Sequence, residues 1–189
     1  MPRAGLTPQR LVEAAADLAD SAGLDRVTIS ALARGFGVKD ASLYSHIRSL
    51  DDLRARLAVH CAAEFADRIG SALAGRSGRS ALTAFADAYR GYALAHPGRY
   101  AAVQLRLPAD VVAASPGHAK LVEYTGALLR SYGLGEPDLT DAVRLLRSTF
   151  HGFAALEAAD AFGAPRPVQE SWSRALDALH SLLTRWPTA

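Results

Sequence analysis

The sequence predicts an all-α protein, and three observations support that prediction. Apolar residues recur at steps of three and four along most of the chain. No segment alternates apolar and polar residues in the way that a half-buried strand does. Glycine and proline divide the periodic stretches into segments of helical length. We therefore expect about nine helices in the 189 residues, enough for one or two domains with a buried core.

The first predicted helix begins at Thr7 and Pro8, because a threonine hydroxyl can cap a helix and proline is tolerated at the first helical position. Gly23 is the expected stop. The apolar face of this helix advances by four, three and four residues through Leu11, Ala15, Leu18 and Ala22. We expect this face to pack against the next two helices, giving a three-helix unit.

Residues 28–53 predict a helix-turn-helix. A short helix from Thr28 to Arg34 leads into the turn formed by residues 35–38, which has glycine at positions 35 and 37, and a second short helix follows. The side chains expected to face inward are Leu32, Ala33, Phe36, Val38, Leu43 and Ile47. The polar face of the second helix then points away from the core, as it does when such a helix lies in a DNA major groove.

Nine side chains of this segment are candidates for DNA contacts: Thr28, Ser30, Lys39, Asp40, Ser42, Tyr44, Ser45, His46 and Arg48. Lysine and arginine pair with phosphates or guanine, hydroxyls suit phosphates, and a histidine ring can donate a hydrogen bond. Asp40 repels phosphate, so we expect it to cap its helix or to accept from a cytosine amine. Taken alone, Tyr44 could equally fill the core edge and His46 could be an ordinary exposed histidine.

Beyond residue 50 the periodicity predicts six further helices, at residues 51–74, 80–96, 99–107, 115–132, 139–162 and 168–186. The last two carry apolar stripes at heptad-like spacing. Such stripes can complete a four-helix bundle with a second subunit, or they can bury into the chain's own core, and the stripes alone favour neither. The residues predicted for dimerisation are Val143, Leu146, Phe150, Phe153, Trp172, Leu176, Leu179 and Leu183.

Composition points to a soluble protein of the reducing cytosol. Cys61 is the single cysteine and cannot form an internal disulfide. We expect it to be a small buried residue, with a redox role as the less favoured alternative. No apolar run has the length of a membrane span, and the first residues do not resemble a signal peptide. The expected location is therefore the cytoplasm.

Charge and motifs narrow the function further. The formal net charge is only +2, and residues 1–60 hold eight Lys or Arg against seven Asp or Glu. Binding to DNA would therefore depend on a few local contacts rather than on bulk charge. The chain has no glycine loop of the P-loop type and no Cys/His cluster with zinc spacing. We expect neither enzymatic activity nor a cofactor or metal.

The N-terminal segment, about residues 7–55, resembles the TetR family of bacterial transcriptional regulators. The residues that match the family signature in register are Thr28, Leu32, Ala33, Gly37, Val38, Ser42, Leu43, Tyr44, His46 and Ile47. Residues 145–157 and Phe162 resemble the C-terminal domain of the WHG subgroup, although Phe150 stands where that subgroup has tryptophan. Two departures are Lys39, where many members have a serine cap, and Leu50, where a lysine commonly touches phosphate.

The resemblance implies a homodimer that binds a palindromic operator, usually as a repressor released by a small-molecule effector. It implies a DNA-binding domain at residues 1–50 and a regulatory and dimerisation domain at residues 51–189. It also favours the dimer interpretation of the C-terminal stripes. The candidates for an effector cavity are Phe85, Tyr89, Tyr92, Tyr100, Gln104, Arg106 and His151, although aromatic residues at helical spacing are more often core. Gly152, in mid-helix, suggests close helix approach or room for a ligand.

Three hypotheses remain open. The first is a ligand-responsive dimeric repressor. The second is a DNA-binding regulator with a filled core, controlled by a protein partner instead of a small molecule. The third is a helical interaction protein or enzyme that keeps the helix-turn-helix shape without binding DNA. In a dimer, the two recognition helices should lie about 34–36 Å apart, or a multiple of that, to meet successive major grooves.

Overall fold

The computed structural model describes residues 6–187, and every regular element in that range is helical. Ten α-helices and one turn of 3-10 helix, Leu24–Arg26, account for them. The α-helices are α1 (Pro8–Ala22), α2 (Ile29–Phe36), α3 (Asp40–Leu43), α4 (Leu50–Leu73), α5 (Gly78–Ala95), α6 (Pro97–Val103), α7 (Ala109–Ala113), α8 (Pro116–Arg130), α9 (Asp138–Ala158) and α10 (Val168–Thr184). The predicted all-α class is confirmed.

Differences from the predicted helices have local causes. The sequence pattern misses α7, because its five residues are too few to complete an apolar period. The α9 helix ends at Ala158 rather than at the predicted residue 162, and Asp160 two positions later has a left-handed φ of 50°. A residue in the left-handed conformation cannot continue a right-handed helix. Within residues 6–187, no helix combines the length and the apolar character that a bilayer crossing requires.

The chain divides into two compact units whose bounds differ from the predicted division after residue 50. The first consists of Met1–Phe65 and Ala95–Ala119, and the second of Ala66–Leu94 and Lys120–Ala189. In the first unit, α1 packs against α2 and α6. Gly98 permits the α6 contact, because a Cβ atom there would lie 2.0 Å from the backbone carbon and oxygen of Ala19. The backbones of α1 and α6 therefore lie in direct contact.

A cluster of charges also joins helices within the first unit. The Arg99 guanidinium, on α6, lies 2.5 Å from the Asp17 carboxylate and 2.9 Å from the Asp20 carboxylate, both on α1. The same group donates to both carboxylate oxygens of Glu64 on α4, at 2.8 and 2.9 Å. Burial by itself lowers the pKa of Arg99. The hydrogen bond and negative charge of Glu64, together with the charges of Asp20 and Asp17, outweigh burial, so the pKa of Arg99 is raised. Arg99 thus holds α1, α4 and α6 together.

The core of the second unit is aromatic. The Phe150 ring lies 6.1 Å from Phe85, 5.6 Å from Tyr89 and 5.7 Å from Trp172, measured between ring centroids. The indole N–H of Trp172 donates to Asp87 at 2.7 Å, which satisfies its polar group. Burial of rings of this size is a large stabilising contribution to the unit.

The apolar stripes of α9 and α10 face this core, which corrects the prediction that they form a dimer interface. Six of the eight predicted dimerisation residues are at most 7% exposed in the single chain: Leu146, Phe150, Trp172, Leu176, Leu179 and Leu183. Val143 and Phe153 are half-buried, and Phe153 packs on Trp172 with ring centroids 4.8 Å apart. The six buried side chains are core residues and offer no surface to a second subunit.

Candidate nucleic-acid interface

The helix-turn-helix begins with a side-chain cap and turns at a glycine. The Thr28 hydroxyl accepts a hydrogen bond from the backbone N–H of Ala31 at 3.2 Å, as the N-cap of α2. Gly37 follows α2 with φ of 65°, in the left-handed region where only glycine is free of strain. The N–H of Val38 then donates to the carbonyl of Ala33, which closes the turn. These residues orient α3 relative to α2.

Buried side chains support the motif from beneath. Leu32, Ala33, Leu43 and Ile47 are between 0 and 3% exposed, as predicted, and all four belong to the core of the first unit. Phe36 is half-buried against the same core. The prediction for Val38 is wrong, because it is 37% exposed. Val38 follows the glycine turn, where the chain has left the helical periodicity on which that prediction rested.

The second helix is a single turn, Asp40–Leu43, and the polar residues around it are exposed. Lys39, Ser42 and Ser45 are open to solvent, and His46 is half-buried. Tyr44 is 55% exposed, so it does not fill the core edge. A row of hydroxyl, ammonium and imidazole groups therefore stands on the outer side of a buried apolar base.

Asp40 does not cap its helix. Lys39 occupies the N-cap position of α3, which has no side-chain cap. The Asp40 carboxylate instead accepts a hydrogen bond from the Ser30 hydroxyl on α2, at 2.5 Å. This contact links the two helices of the motif. The contact of Asp40 with DNA stays a prediction.

Arg48 lies at the junction with α4, where the sequence reading missed a capping arrangement. The Ser49 hydroxyl accepts from the backbone N–H of Asp52 at 3.1 Å, and the Asp52 carboxylate accepts from the backbone N–H of Arg48 at 2.9 Å. The Ser-x-x-Asp spacing was the available signal. Burial raises the pKa of Asp52, but hydrogen bonds from the Arg48 backbone and from the guanidinium groups of Arg56 and Arg48 outweigh it and lower the pKa. The Arg48 side chain is 87% exposed.

The seven predicted effector residues fall in different environments. Phe85, Tyr89 and Tyr92 are buried in the second unit, and Tyr100 is buried in the first beside Phe65. These four aromatic residues are buried in the core, which is the alternative to an effector cavity that the sequence left open. The remaining three are Gln104, which is half-buried, and Arg106 and His151, which are exposed. His151 therefore lies on the outer face of α9 rather than in an interior cavity.

The structure explains Cys61 but not Gly152. Cys61 is fully buried in the core of the first unit, and burial raises the pKa of its thiol to about 12. The thiolate required for redox chemistry is therefore scarce at neutral pH. Apart from Gly152, its two chain neighbours and the backbone of its own helix, no described residue has an atom within 4 Å of the position that a Cβ of Gly152 would occupy. Within this chain, neither close helix packing nor a filled pocket explains that glycine.

A helix-turn-helix with an exposed polar second helix, followed by further helices over residues 50–184, is typical of DNA-binding transcriptional regulators. Two family models match the chain. The model described as "Bacterial regulatory proteins, tetR family" matches residues 11–57, and the model described as "Tetracyclin repressor-like, C-terminal domain" matches residues 82–179. The protein belongs to the TetR family of transcriptional regulators. The assignment to the WHG subgroup stays a prediction.

Two relatives share the architecture along most of their length. The chain is 35% identical to the uncharacterized HTH-type transcriptional regulator YobS of Bacillus subtilis over 181 residues, which covers 91% of this chain and 90% of the relative. It is 38% identical to the uncharacterized HTH-type transcriptional regulator Rv0681 of Mycobacterium tuberculosis over 159 residues, covering 82% and 71%. These relatives and both families are regulators, not enzymes.

Solved structures confirm the fold. ActR of Streptomyces coelicolor in complex with (S)-DNPA is 20% identical, with a TM-score of 0.72 over 97% of this chain and 100% of that one. BioQ with its double-stranded DNA operator is 21% identical, with a TM-score of 0.68 over 96% and 99%. At this level of identity the similarity establishes the arrangement of helices.

Proposed function

We propose that the protein is a homodimeric repressor that binds a palindromic operator and is released by a small-molecule effector. The exposed polar row around α3 is the observation that carries this proposal. Lys39, Ser42 and Tyr44 are exposed, while Leu43 between them is fully buried and fixes their orientation. The BioQ structure with an operator and the ActR structure with a small molecule show that this fold accommodates both kinds of partner.

A binding experiment with DNA tests the first part of the proposal. Fluorescence anisotropy with a duplex from the promoter region flanking its own gene should show tight, sequence-selective and salt-sensitive binding. Lys39→Ala should weaken binding and lower the slope of log K against log salt by about one, because one phosphate contact is lost. Tyr44→Phe should weaken binding about fivefold, because only a neutral hydroxyl contact is removed.

Arg130→Ala is the matched control for these variants. Arg130 is an exposed arginine on α8, in the second unit, outside both the helix-turn-helix and the proposed dimer helices. Its removal should leave operator binding unchanged. If wild-type protein does not distinguish the promoter duplex from a scrambled one, or if the Lys39 and Tyr44 variants bind as tightly as wild type, the repressor proposal fails.

The outer faces of α9 and α10 are the proposed dimer surface, because their inner faces are already buried. Leu156 on α9 is 47% exposed and Leu182 on α10 is 40% exposed. Two exposed leucines on the helix pair that the family resemblance assigns to dimerisation fit contact with a second copy. In the dimer, the two recognition helices should be about 34–36 Å apart or a multiple of that.

Sedimentation equilibrium distinguishes this surface from an arbitrary one. Leu156→Asp and Leu182→Asp should shift the protein from dimer to monomer, because a charge would be buried at the interface. Val122→Asp is the control, since Val122 on α8 is 74% exposed and belongs to neither helix. A wild-type monomer at micromolar concentration, or equal effects of all three variants, would contradict the proposed dimer.

A further inference from the structure

A groove in the first unit lies beside the helix-turn-helix and has a volume of about 870 Å³. Its walls are the start of α1, the first half of α4 and the segment 105–111. We name it the arginine groove, because its lining includes Arg48, Arg54, Arg56 and Arg106. Its volume falls within the range of small-molecule sites.

Two of these arginines have their charge satisfied by the protein and two do not. Arg48 and Arg56 both pair with Asp52, at 3.3 and 3.1 Å. The side chains of Arg54 and Arg106 form no ion pair or hydrogen bond within residues 6–187. Asp51 is the other acidic residue of the groove and lies exposed at its edge. The groove therefore has an excess of positive charge.

Arg54 is the decisive residue, because it lines the groove and its guanidinium has no acceptor within residues 6–187. Its Nε atom is buried without a hydrogen-bond partner, which is costly, and its charge has no counterion among the described residues. An anion in the groove supplies this counterion by binding the terminal nitrogens of Arg54. Arg106 is exposed on the segment 105–111 and can close on the same anion.

The rest of the lining is apolar, which limits the chemistry of the occupant. Val12, Val59, Leu105, Leu107 and Val111 supply aliphatic surface from all three walls. A DNA backbone would leave this surface without an apolar partner. A molecule with one anionic group and an apolar body matches both the arginines and the aliphatic walls.

We propose that the arginine groove binds an amphipathic monocarboxylate, held by Arg54 and Arg106, and that this binding opposes operator binding. The inference rests on the proposed repressor function and names the site and chemical class of its effector. Arg48 connects the two activities, since it lines the groove and is also a predicted DNA contact. A bound carboxylate draws Arg48 toward the groove and adds negative charge beside the surface that faces phosphate.

Isothermal titration calorimetry with decanoate and with 1-naphthoate tests the binding, with decan-1-ol as the uncharged control. At least one carboxylate should bind at one saturable site per chain, and decan-1-ol should bind at least about tenfold more weakly, because the charge-assisted contacts are missing. Arg106→Gln and Arg54→Gln should each weaken the carboxylate about tenfold or more. Arg174→Gln, an exposed arginine on α10, should bind it as wild type does.

Folding and function are checked separately. Arg106 is exposed, so its variant should retain the wild-type unfolding temperature even if the Arg54 variant does not. Saturating carboxylate should lower operator affinity about fivefold or more in wild type and leave Arg106→Gln unaffected. Calorimetry requires no DNA, so a failure to find an operator would disprove the repressor function without affecting the test of the groove.

Three results would overturn the inference. The first is that neither carboxylate binds saturably. The second is binding that is unaffected by both arginine substitutions, which would place the site elsewhere in the chain. The third is that either arginine variant loses operator affinity in the absence of carboxylate as strongly as Lys39→Ala does, which would make the groove a contact for DNA phosphate.

Discussion

The two compact units achieve helix packing by different means. In the first, alanines dominate the buried face of α1, Gly98 brings α6 onto the α1 backbone, and Arg99 links three helices through carboxylates. In the second, rings fill the space between helices around Phe150. Small residues let the helix backbones of the first unit lie close together. Aromatic rings need more space between helices, and the apolar stripes of α9 and α10 supply rings to that space. The exposed DNA-facing side chains belong to the unit packed through small residues and charges, and the buried stripes of α9 and α10 belong to the unit packed through rings.

The largest expected effect comes from removing a ring in the second unit. Phe150→Ala should lower the free energy of unfolding by about 3–5 kcal/mol, because a fully buried aromatic side chain leaves a cavity. Urea denaturation followed by circular dichroism measures this loss. The dissociation constant of the folded dimer should change little. If the Phe150→Ala variant had normal stability and its dimer dissociated instead, Phe150 would be an interface residue. The second unit would then not depend on an aromatic core.

Adding one methyl group should be nearly as damaging in the first unit. Gly98→Ala places a Cβ against the backbone of Ala19, so α6 must move away from α1. We expect a loss of about 3 kcal/mol in unfolding free energy, at the upper end of overpacking effects. Gly152→Ala is the control, because its Cβ meets nothing within 4 Å and alanine favours the helix by about 1 kcal/mol. Equal effects of the two substitutions in thermal unfolding would contradict the close packing of α1 and α6.

Removing the charge that joins α1, α4 and α6 should have an intermediate effect. Arg99→Gln removes the guanidinium that pairs with Glu64 and Asp20, and both carboxylates are partly buried. A loss of about 2 kcal/mol is expected, since hydrogen bonds to charged groups are the stronger class. The exposed pair of Arg144 and Asp141 provides a comparison, and Arg144→Gln should cost less than about 0.5 kcal/mol. If Arg99→Gln is equally mild in urea denaturation, the first unit does not depend on this cluster.

The smallest effect concerns Asp52 and depends on pH. Its carboxylate accepts from Arg48 and Arg56, which lowers its pKa in the folded protein despite burial. A carboxyl with a lowered pKa stabilises the fold above the pKa it has in the unfolded chain, and this contribution is lost as pH falls through the folded value. Asp52→Asn should therefore cost about 1 kcal/mol at pH 7 and progressively less as the pH falls below 3.8, the ordinary pKa of an aspartate. A cost that stays constant between these pH values would exclude the charge of Asp52 as its source.

The helix-turn-helix could be predicted because its determinants are local. Thr28 caps the following residues, Gly37 adopts the left-handed conformation that glycine tolerates, and Leu43 alternates with exposed neighbours within one turn. Each of these relations spans only a few residues, so the order of residues contains it. The prediction for Val38 is wrong because helical periodicity does not continue through the glycine turn that precedes it. Ser49 and Asp52 had a recognisable spacing, and their capping role could have been found.

The sequence by itself determined the helices, the DNA-binding motif and the regulator family, because these depend on local propensity and on spacing along the chain. The tertiary structure decided which surface covers each apolar stripe, since Phe150 finds its partners on α5 and α10, far away in sequence. It also placed Arg54 and Arg106, 52 positions apart, on one groove. An apolar or charged pattern in the sequence indicates that a side chain will be buried or paired with a charge. Which residue it packs against or pairs with depends on the tertiary structure.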